Sequence, residues 1–304
     1  MDTSYSARRK YSWWSPQIVA QFEKTFEPTP QANVVAVLTP HAGYEFSGSV
    51  AYQTFARVDW HNVRRVCLLS TWHRPDSPRI VVPGFVALDQ SDFRGLLLDT
   101  PFIDQLRLAL GPQIVATSSS DFAQEHSWEM QLPILSSFAR RFNIQLRVTP
   151  ILVGPLTGAD SLKVAQFLTR WYDVAPEQSL FAINSDLTHY GPDYGFQLPV
   201  NENAIGNIIR AKDERLLRRI AQGCPCRQLQ PTTCYPRLCL YQGICFSVAA
   251  MVCGVNAIAL WNCIRSLLPF RCRVRLPVMY TSSLSSGETD NNFVTYAGMA
   301  FVKN

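Results

Sequence analysis

Imidazoles, thiols and a carboxylate placed where apolar runs end are the groups in this chain best suited to do chemistry. The sequence holds only five histidines in 304 residues. Three of them follow short apolar, β-branched runs. VVAVLT leads into Pro40-His41-Ala42-Gly43-Tyr44, VCLLS into Thr71-Trp72-His73, and LFAINS into Asp186-Leu187-Thr188-His189-Tyr190-Gly191. Ligands of open α/β sheets bind beyond the carboxyl ends of the strands. If the three runs are parallel neighbours, His41, His73 and His189 converge on one rim of the sheet. Asp186, three residues before His189, is placed to orient an imidazole or raise its basicity. Gly43 and Gly48 would permit tight backbone turns beside the first histidine. Imidazoles joined by a thiolate suit iron, copper or zinc better than magnesium or calcium. Taken singly, each histidine reads as an ordinary capping or hydrogen-bonding loop residue; the shared position is what suggests a site.

The other two histidines are less clearly placed. His126 lies in Glu125-His126-Ser127-Trp128-Glu129-Met130-Gln131-Leu132-Pro133, where Ser127 reads as an N-cap and an amphipathic helix follows. Anchoring the helix start and standing at the site rim are equal readings for His126. His61, in Asp59-Trp60-His61, reads as an exposed loop residue.

Eight of the nine cysteines fall between Cys224 and Cys272. Their spacing does not favour structural zinc: Cys224-Pro-Cys226, Cys234, Cys239 and Cys245 form no CxxC pair and have no histidine nearby. Cys253 and Cys263 sit in an apolar run and read as small buried hydrophobes. The opening residues are polar and aromatic, with no apolar core of a secretory signal, so reduced thiols in the cytoplasm, and also the nucleus, are expected.

The elements that must position these groups are legible from periodicity. Strands are expected at Val34–Thr39, Val66–Ser70, Arg147–Val153, Leu180–Ser185 and Phe293–Val302, with a weaker one at Ile80–Val86. Helical spacing marks Ser49–Val58, Glu129–Phe142, Asp160–Tyr172, Asn201–Ala221 and Cys245–Leu268. Wholly apolar strands alternating with helices predict an α/β fold, a mostly parallel central sheet with helices on both faces. No repeat or low-complexity linker interrupts residues 1–304, so one domain is expected. Hydrophobic residues at 47% and charged residues at 17% are ample for a buried core and exclude extensive disorder.

The run from Ile244 to Ile264 carries no charge and is long enough to cross a bilayer. Ser247, Asn256 and Asn262 interrupt it, so a central buried helix is the better reading and no membrane span is expected. The net charge of +5 is scattered among Arg8-Arg9-Lys10, Arg218-Arg219 and the alternating Arg271, Arg273 and Arg275. Basic and aromatic residues do not interleave at length, so no nucleic-acid partner is expected.

Three blocks together resemble the signatures of the Memo family: P-H-A-G-Y at 40–44 with Gly48 and Ser49, E-H-S-x-E-M-x-L-P at 125–133, and S-D-L-T-H-Y-G at 185–191. They stand in the family's order and spacing. Ser12-Trp13-Trp14, Pro150–Gly154 and Tyr296-Ala297-Gly298 extend the likeness over nearly the whole chain. The resemblance implies a fold similar to the class III extradiol dioxygenases, non-haem iron enzymes that open catechol rings. It implies iron or copper, with zinc less favoured, held by His41, His73 and Cys239. Cys245 is the alternative thiolate, six residues on. Asp186 and His189 would stand beside the metal, His189 in the acid/base position. Two departures are visible. The family's paired histidines after the second strand are here Trp72-His73, and its Cys-Gly is here Cys239-Leu240.

The resemblance supports three roles. One is a metal-dependent oxidoreductase of dioxygenase type acting on a small-molecule substrate. A second is a non-catalytic adaptor in signalling and cell motility that binds phosphotyrosine peptides or cytoskeletal regulators. The third is a metal buffer.

Overall fold

The computed structural model describes residues 4–6, 16–75, 79–199, 202–223, 252–283 and 292–304. Among them, ten strands form one sheet. β1 (Val34–Thr39), β2 (Arg65–Thr71), β6 (Leu146–Val153) and β7 (Ser179–Asn184) make its parallel centre, in the order β6-β2-β7-β1. β3 (Ile80–Val82) pairs antiparallel with β6 and parallel with β5 (Val115–Thr117). β4 (Leu96–Leu98) adds to β6 in parallel. On the other side, β10 (Phe293–Lys303) runs antiparallel to β1, to β9 (Cys272–Ser282) and to the two-residue β8 (His189–Tyr190). All six residues of β7 are buried, as are all but the first of β1 and all but Arg147 of β6. Such strands lie between two helical layers, which is why they read as unbroken apolar runs.

The helices fall into two packed groups. α1 (Pro16–Thr25), α2 (Ser49–Phe55) and α5 (Leu132–Arg141) pack together and contact β1, β4 and β10. α3 (Thr100–Leu110), α6 (Gly158–Val174) and α8 (Val255–Leu267) pack on β2, β6 and β7. α4 (Ser119–Gln124) leads into the 125–131 segment, and α7 (Glu202–Gln222) rests on β9.

The five principal strands lie where the apolar runs predict, within one residue at each end. Three differences are informative. Among the described residues the late apolar run is helical from Val255; Val252 makes an isolated bridge and Cys253-Gly254 a turn, while residues 244–251 lie outside the described set. The alternating arginines at 271–275 mark the entry to β9, because a strand flanking β10 can carry charge on its open side. α1 and α3 were not expected, since their polar faces dilute the periodic signal.

No helix among the described residues is long and apolar enough to cross a membrane. At 13 residues, α8 spans about 20 Å, short of a hydrocarbon core of about 30 Å.

An aromatic cluster ties α6 and α8 to the central strands. Phe181 of β7 lies 5.3 Å from Trp171, 5.9 Å from Tyr172 and 5.5 Å from Trp261, measured between ring centroids. Phe181→Ala is expected to cost about 3–5 kcal/mol, because the ring's contacts on both helices are lost and the site cannot fully collapse. Urea unfolding of the two proteins measures this; a loss below about 1 kcal/mol would contradict the central place given to this ring.

Candidate metal centre

The register of the parallel strands sets the level of the site. Thr39 of β1 is the partner of Asn184 of β7, and Leu69 of β2 is the partner of Ile183. Asn184 locks β2 to β7 further: the Thr71 amide and hydroxyl donate to its side-chain and main-chain oxygens, at 3.0 and 2.9 Å. His41, His73 and Asp186 each emerge two residues beyond the end of a strand, β2 running one residue past the level of β1 and β7.

His41 forms the floor and is almost fully buried. Its main-chain N–H donates to Asp186 Oδ1 at 2.8 Å. Its Nε2 lies 3.4 Å from His73 Nε2, 3.5 Å from Cys253 Sγ and 3.8 Å from Asp186 Oδ2. Its Nδ1 is buried without a hydrogen-bond partner, so packing holds the ring while the Asp186 bond holds the main chain. Burial, with the neighbouring His73 and His126, drives the His41 pKa well below the usual histidine value. The ring is neutral and available as a donor of electrons.

His73 stands at the open rim, with a third of its side chain exposed. Glu125 clamps it: His73 Nδ1 is 2.9 Å from Glu125 Oε1, and the His73 main-chain N–H donates to Oε2 at 2.8 Å. Glu125 is buried and also accepts from the Ser127 amide. Burial pulls the His73 pKa down, but hydrogen bonds to Cys253 and Glu125 and their charges outweigh it and hold it at about 10. Burial pushes Glu125 up, and the bond and charge of His73 overcome that and hold it at about 2. This is the carboxylate–imidazole pairing that orients a metal-binding histidine.

His126 completes the rim. Its ring stacks on His73, centroids 4.8 Å apart at 14°, and lies 5.5 Å from the His41 ring. Its Nδ1 is 3.5 Å from Glu125 Oε1, and burial lowers its pKa. Of its two readings the structure gives the rim. The segment that carries it is stitched to the strand ends, which Ser127 serves in place of capping a helix. Ser127 Oγ donates to the Thr71 carbonyl at 2.6 Å and Gln131 Nε2 to the Pro40 carbonyl at 3.0 Å.

Cys253 closes the other side. Cys239 and Cys245 lie outside the described residues; among the described residues the thiol at His41 is Cys253. The Asp186 amide donates to its Sγ at 3.3 Å, and an isolated bridge pairs Val252 with Thr188. Burial pushes the Cys253 thiol up, opposed by its bond to His73. Gly254 makes the approach feasible. Its N–H donates to Ser185 Oγ at 3.0 Å. A Cβ there would lie 2.3 Å from Ser185 Cβ and 2.7 Å from the Asn184 carbonyl oxygen. Cys253-Gly254 is thus the Cys-Gly pair that the expected Cys239-Leu240 lacks; that dipeptide, just before a helix, was the signal available in the sequence.

His189 and Asp186 stand beside the cluster. His189 Nδ1 donates to the Leu187 carbonyl at 3.0 Å, and its charge acts on Asp186 and His41. Burial raises the Asp186 pKa against the influence of His189 and the His41 amide. His61 is exposed and pairs with Asp59, apart from the site. Trp72 is buried in the core. Gly43 and Gly48 have negative φ, so neither makes a left-handed turn. Gly48 instead allows close packing, since a Cβ there would lie 2.8 Å from the Phe22 ring.

Two overlapping triads could hold a metal ion: His41 with His73 and His126, and His41 with Asp186 and Cys253. Metal bonds of about 2.05 Å to nitrogen and 2.3 Å to sulfur in tetrahedral array place N···N at about 3.3 Å and N···S at about 3.5 Å. The observed 3.4 and 3.5 Å match those edges. The donors fit a borderline or soft transition metal.

Comparison with known proteins agrees with this architecture. The sequence profile of the Memo-like protein family matches residues 6–300. A MEMO1 family protein of Schizosaccharomyces pombe is 28% identical over 205 residues, 63% of this chain and 62% of that protein. Protein MEMO1 of Homo sapiens is 25% identical over 206 residues, 66% of this chain and 67% of the human one. The match to the fission-yeast relative thus spans less than two-thirds of its length. The crystal structure of an uncharacterized protein from Escherichia coli K12 superposes with a TM-score of 0.50 at 9% identity, over 88% of this chain and 99% of that one, a likeness of fold alone.

Two outcomes are expected. Gly254→Ala should destabilise the fold by about 1–3 kcal/mol through overpacking and speed labelling of Cys253 by a thiol reagent. Unchanged labelling would mean that Gly254 does not seat the thiol. In chelator-treated protein, the His73 imidazolium should persist to about pH 10. Its contribution to stability is complete below its ordinary value of 6.5 and drains as pH rises through about 10. The matching Glu125 contribution is present above its ordinary 4.5 and is lost as pH falls through about 2. Histidine NMR against pH measures this, and Glu125→Gln should lower the His73 midpoint; a midpoint near 6.5 in the unsubstituted protein would refute the ion pair.

Proposed function

The chain belongs to the Memo family, and we propose that it is a metal-dependent oxidoreductase that holds iron or copper at His41, His73 and Cys253 and acts on a catechol-type small molecule. The observation that carries this reading is that His41, common to both candidate triads, has its Nε2 3.4 Å from His73 Nε2 and 3.5 Å from Cys253 Sγ, two distances that fit tetrahedral edges. Zinc fits the same donors but would supply no redox chemistry. When bound, an iron ion would supply a Lewis-acidic, redox-active centre that brings substrate and oxygen together.

The chain's own groups have distinct tasks. Glu125 orients His73 and keeps its Nδ1 engaged, leaving Nε2 toward His41. His41, neutral and dry, needs no proton removed before it can ligate. The Asp186 amide steadies the sulfur of Cys253. His189 is the acid/base. Its Nδ1–H is committed to the Leu187 carbonyl, so in the neutral ring Nε2 carries the lone pair that takes a hydroxyl proton. Trp72, which stands where the family has a second histidine, is buried in the apolar core. An adaptor role in which this cluster grips a phosphopeptide is disfavoured, because Glu125 and Asp186 place two carboxyl groups there.

The test is metal content by mass spectrometry after anaerobic loading with Fe(II), Cu(I) or Zn(II). One ion per chain is expected, lost in His41→Ala and Cys253→Ser and kept in Cys239→Ser. Loss in Cys239→Ser with retention in Cys253→Ser would transfer the thiolate role to Cys239. His189→Ala should keep the metal and lose catechol-dependent oxygen uptake by about 10²–10⁴-fold; undiminished uptake would end the acid/base assignment. Stoichiometric metal with no turnover of any catechol would leave a metal buffer.

A further inference from the structure

At the opposite rim of the sheet, where the parallel strands begin, three arginines share one cavity. Arg65 opens β2, and its register partner on the neighbouring strand is Arg147 of β6. Two cations are thus seated side by side on strands about 4.8 Å apart, an arrangement that costs stability unless something offsets it. Arg64 joins them: its amide donates to the Gln178 carbonyl, and its own carbonyl accepts from the Arg147 amide. The cavity is about 390 Å³ in volume, and Arg64, Arg65, Arg147, Asn143, Gln145 and Gln178 line it. Ile144 is the remaining lining residue, so no carboxylate faces this space.

Two of the cations, Arg64 and Arg147, are underused. Among the described residues none of the three arginines forms a salt bridge. Arg65 is the most engaged: one terminal nitrogen donates to the Trp171 carbonyl and Ser179 Oγ, and its guanidinium lies over the Trp171 ring, 4.7 Å from the centroid, while its Nε is buried without a hydrogen-bond partner. Arg64 reaches only the Val63 carbonyl, and Arg147 projects into solvent. The side-chain amides of Asn143, Gln145 and Gln178 make no hydrogen bond within the described residues. Asp99, buried beside the start of α3, acts electrostatically on Arg147 and Arg65. It is one carboxyl group against three guanidiniums.

We infer that this rim is a binding site for a small organic phosphate, such as a sugar phosphate or a compound with a di- or triphosphate group. Guanidinium forks match the paired oxygens of a phosphate, and the three amides would donate to the remaining oxygens. The volume falls within the range of small-molecule sites. No aromatic ring lines the cavity, so bases of a single strand would find nothing on which to stack. The seven residues of β2 separate this rim from the histidine cluster by about 20 Å, so the site stands independently of the metal centre.

Titration calorimetry of the full chain with sodium tripolyphosphate tests this, with inorganic phosphate as a second probe. One-to-one binding is expected at about 25 mM salt, weakened at about 200 mM. It should fall at least tenfold in Arg147→Glu and in Arg64→Gln, with the thermal midpoint and metal content unchanged. Arg65 is left intact because it holds the end of α6. No heat at about 1 mM tripolyphosphate, or equal affinity in Arg147→Glu, would overturn the site. A thymidine oligonucleotide binding more than tenfold tighter than tripolyphosphate, and lost in the same variants, would replace the small phosphate with nucleic acid.

Discussion

Everything at the functional rim depends on the register of three parallel strands. β1 and β7 end level and β2 runs one residue further, and Asn184 at the centre accepts from the Thr71 amide and hydroxyl across the β7–β2 seam. A slip of one residue would turn each strand's final side chains to the other face. His41, His73 and Asp186 would then no longer meet. The two remaining contributors are fastened to this platform from outside. The 125–131 segment hangs from the Thr71 and Pro40 carbonyls, and the Cys253 turn rests on Ser185 and the Asp186 amide. The strands fix position, and the added segments supply donors.

The same platform gives its donors unlike surroundings. His41 lies in the dry floor and has lost its affinity for a proton, while His73, at the wet rim, is held as a cation by Glu125 and Cys253. Two imidazoles whose nitrogens are 3.4 Å apart thus differ in protonation because one faces desolvation and the other a carboxylate. An opening at His73 beside a closed floor at His41 is the asymmetry a binding site needs: access from one side and exclusion of water from the other.

Much of this was legible in the sequence. Strand ends could be read from apolar β-branched runs, because strands buried on both faces carry no polar interruption. The three histidines and Asp186 followed from those ends by counting. His126 was harder, since a histidine before a helix has an ordinary structural role and nothing local reveals that Glu125 bonds across to His73. Cys253 was hidden by composition. It lies in a 21-residue uncharged run that reads as one helix, and only the glycine after it marks the turn. What Gly254 makes possible is an approach to Ser185, a contact across 69 residues that no local pattern records. The opposed arginines of β2 and β6 were invisible for the same reason, as strand pairing is non-local.

The separations along the chain have a kinetic and thermodynamic consequence. His41 and Cys253 are 212 residues apart, and His41 and Asp186 are 145 apart. No short fragment of the fold brings these groups together, because the contacts that do so span well over a hundred residues and carry a large loop-closure cost. The cluster therefore matures only when the central strands have closed, and it disperses when they part. Any ligand that settles there is coupled to global unfolding rather than to a local fluctuation, and it raises the resistance of the entire chain to heat and denaturant by an amount set by its concentration over its dissociation constant.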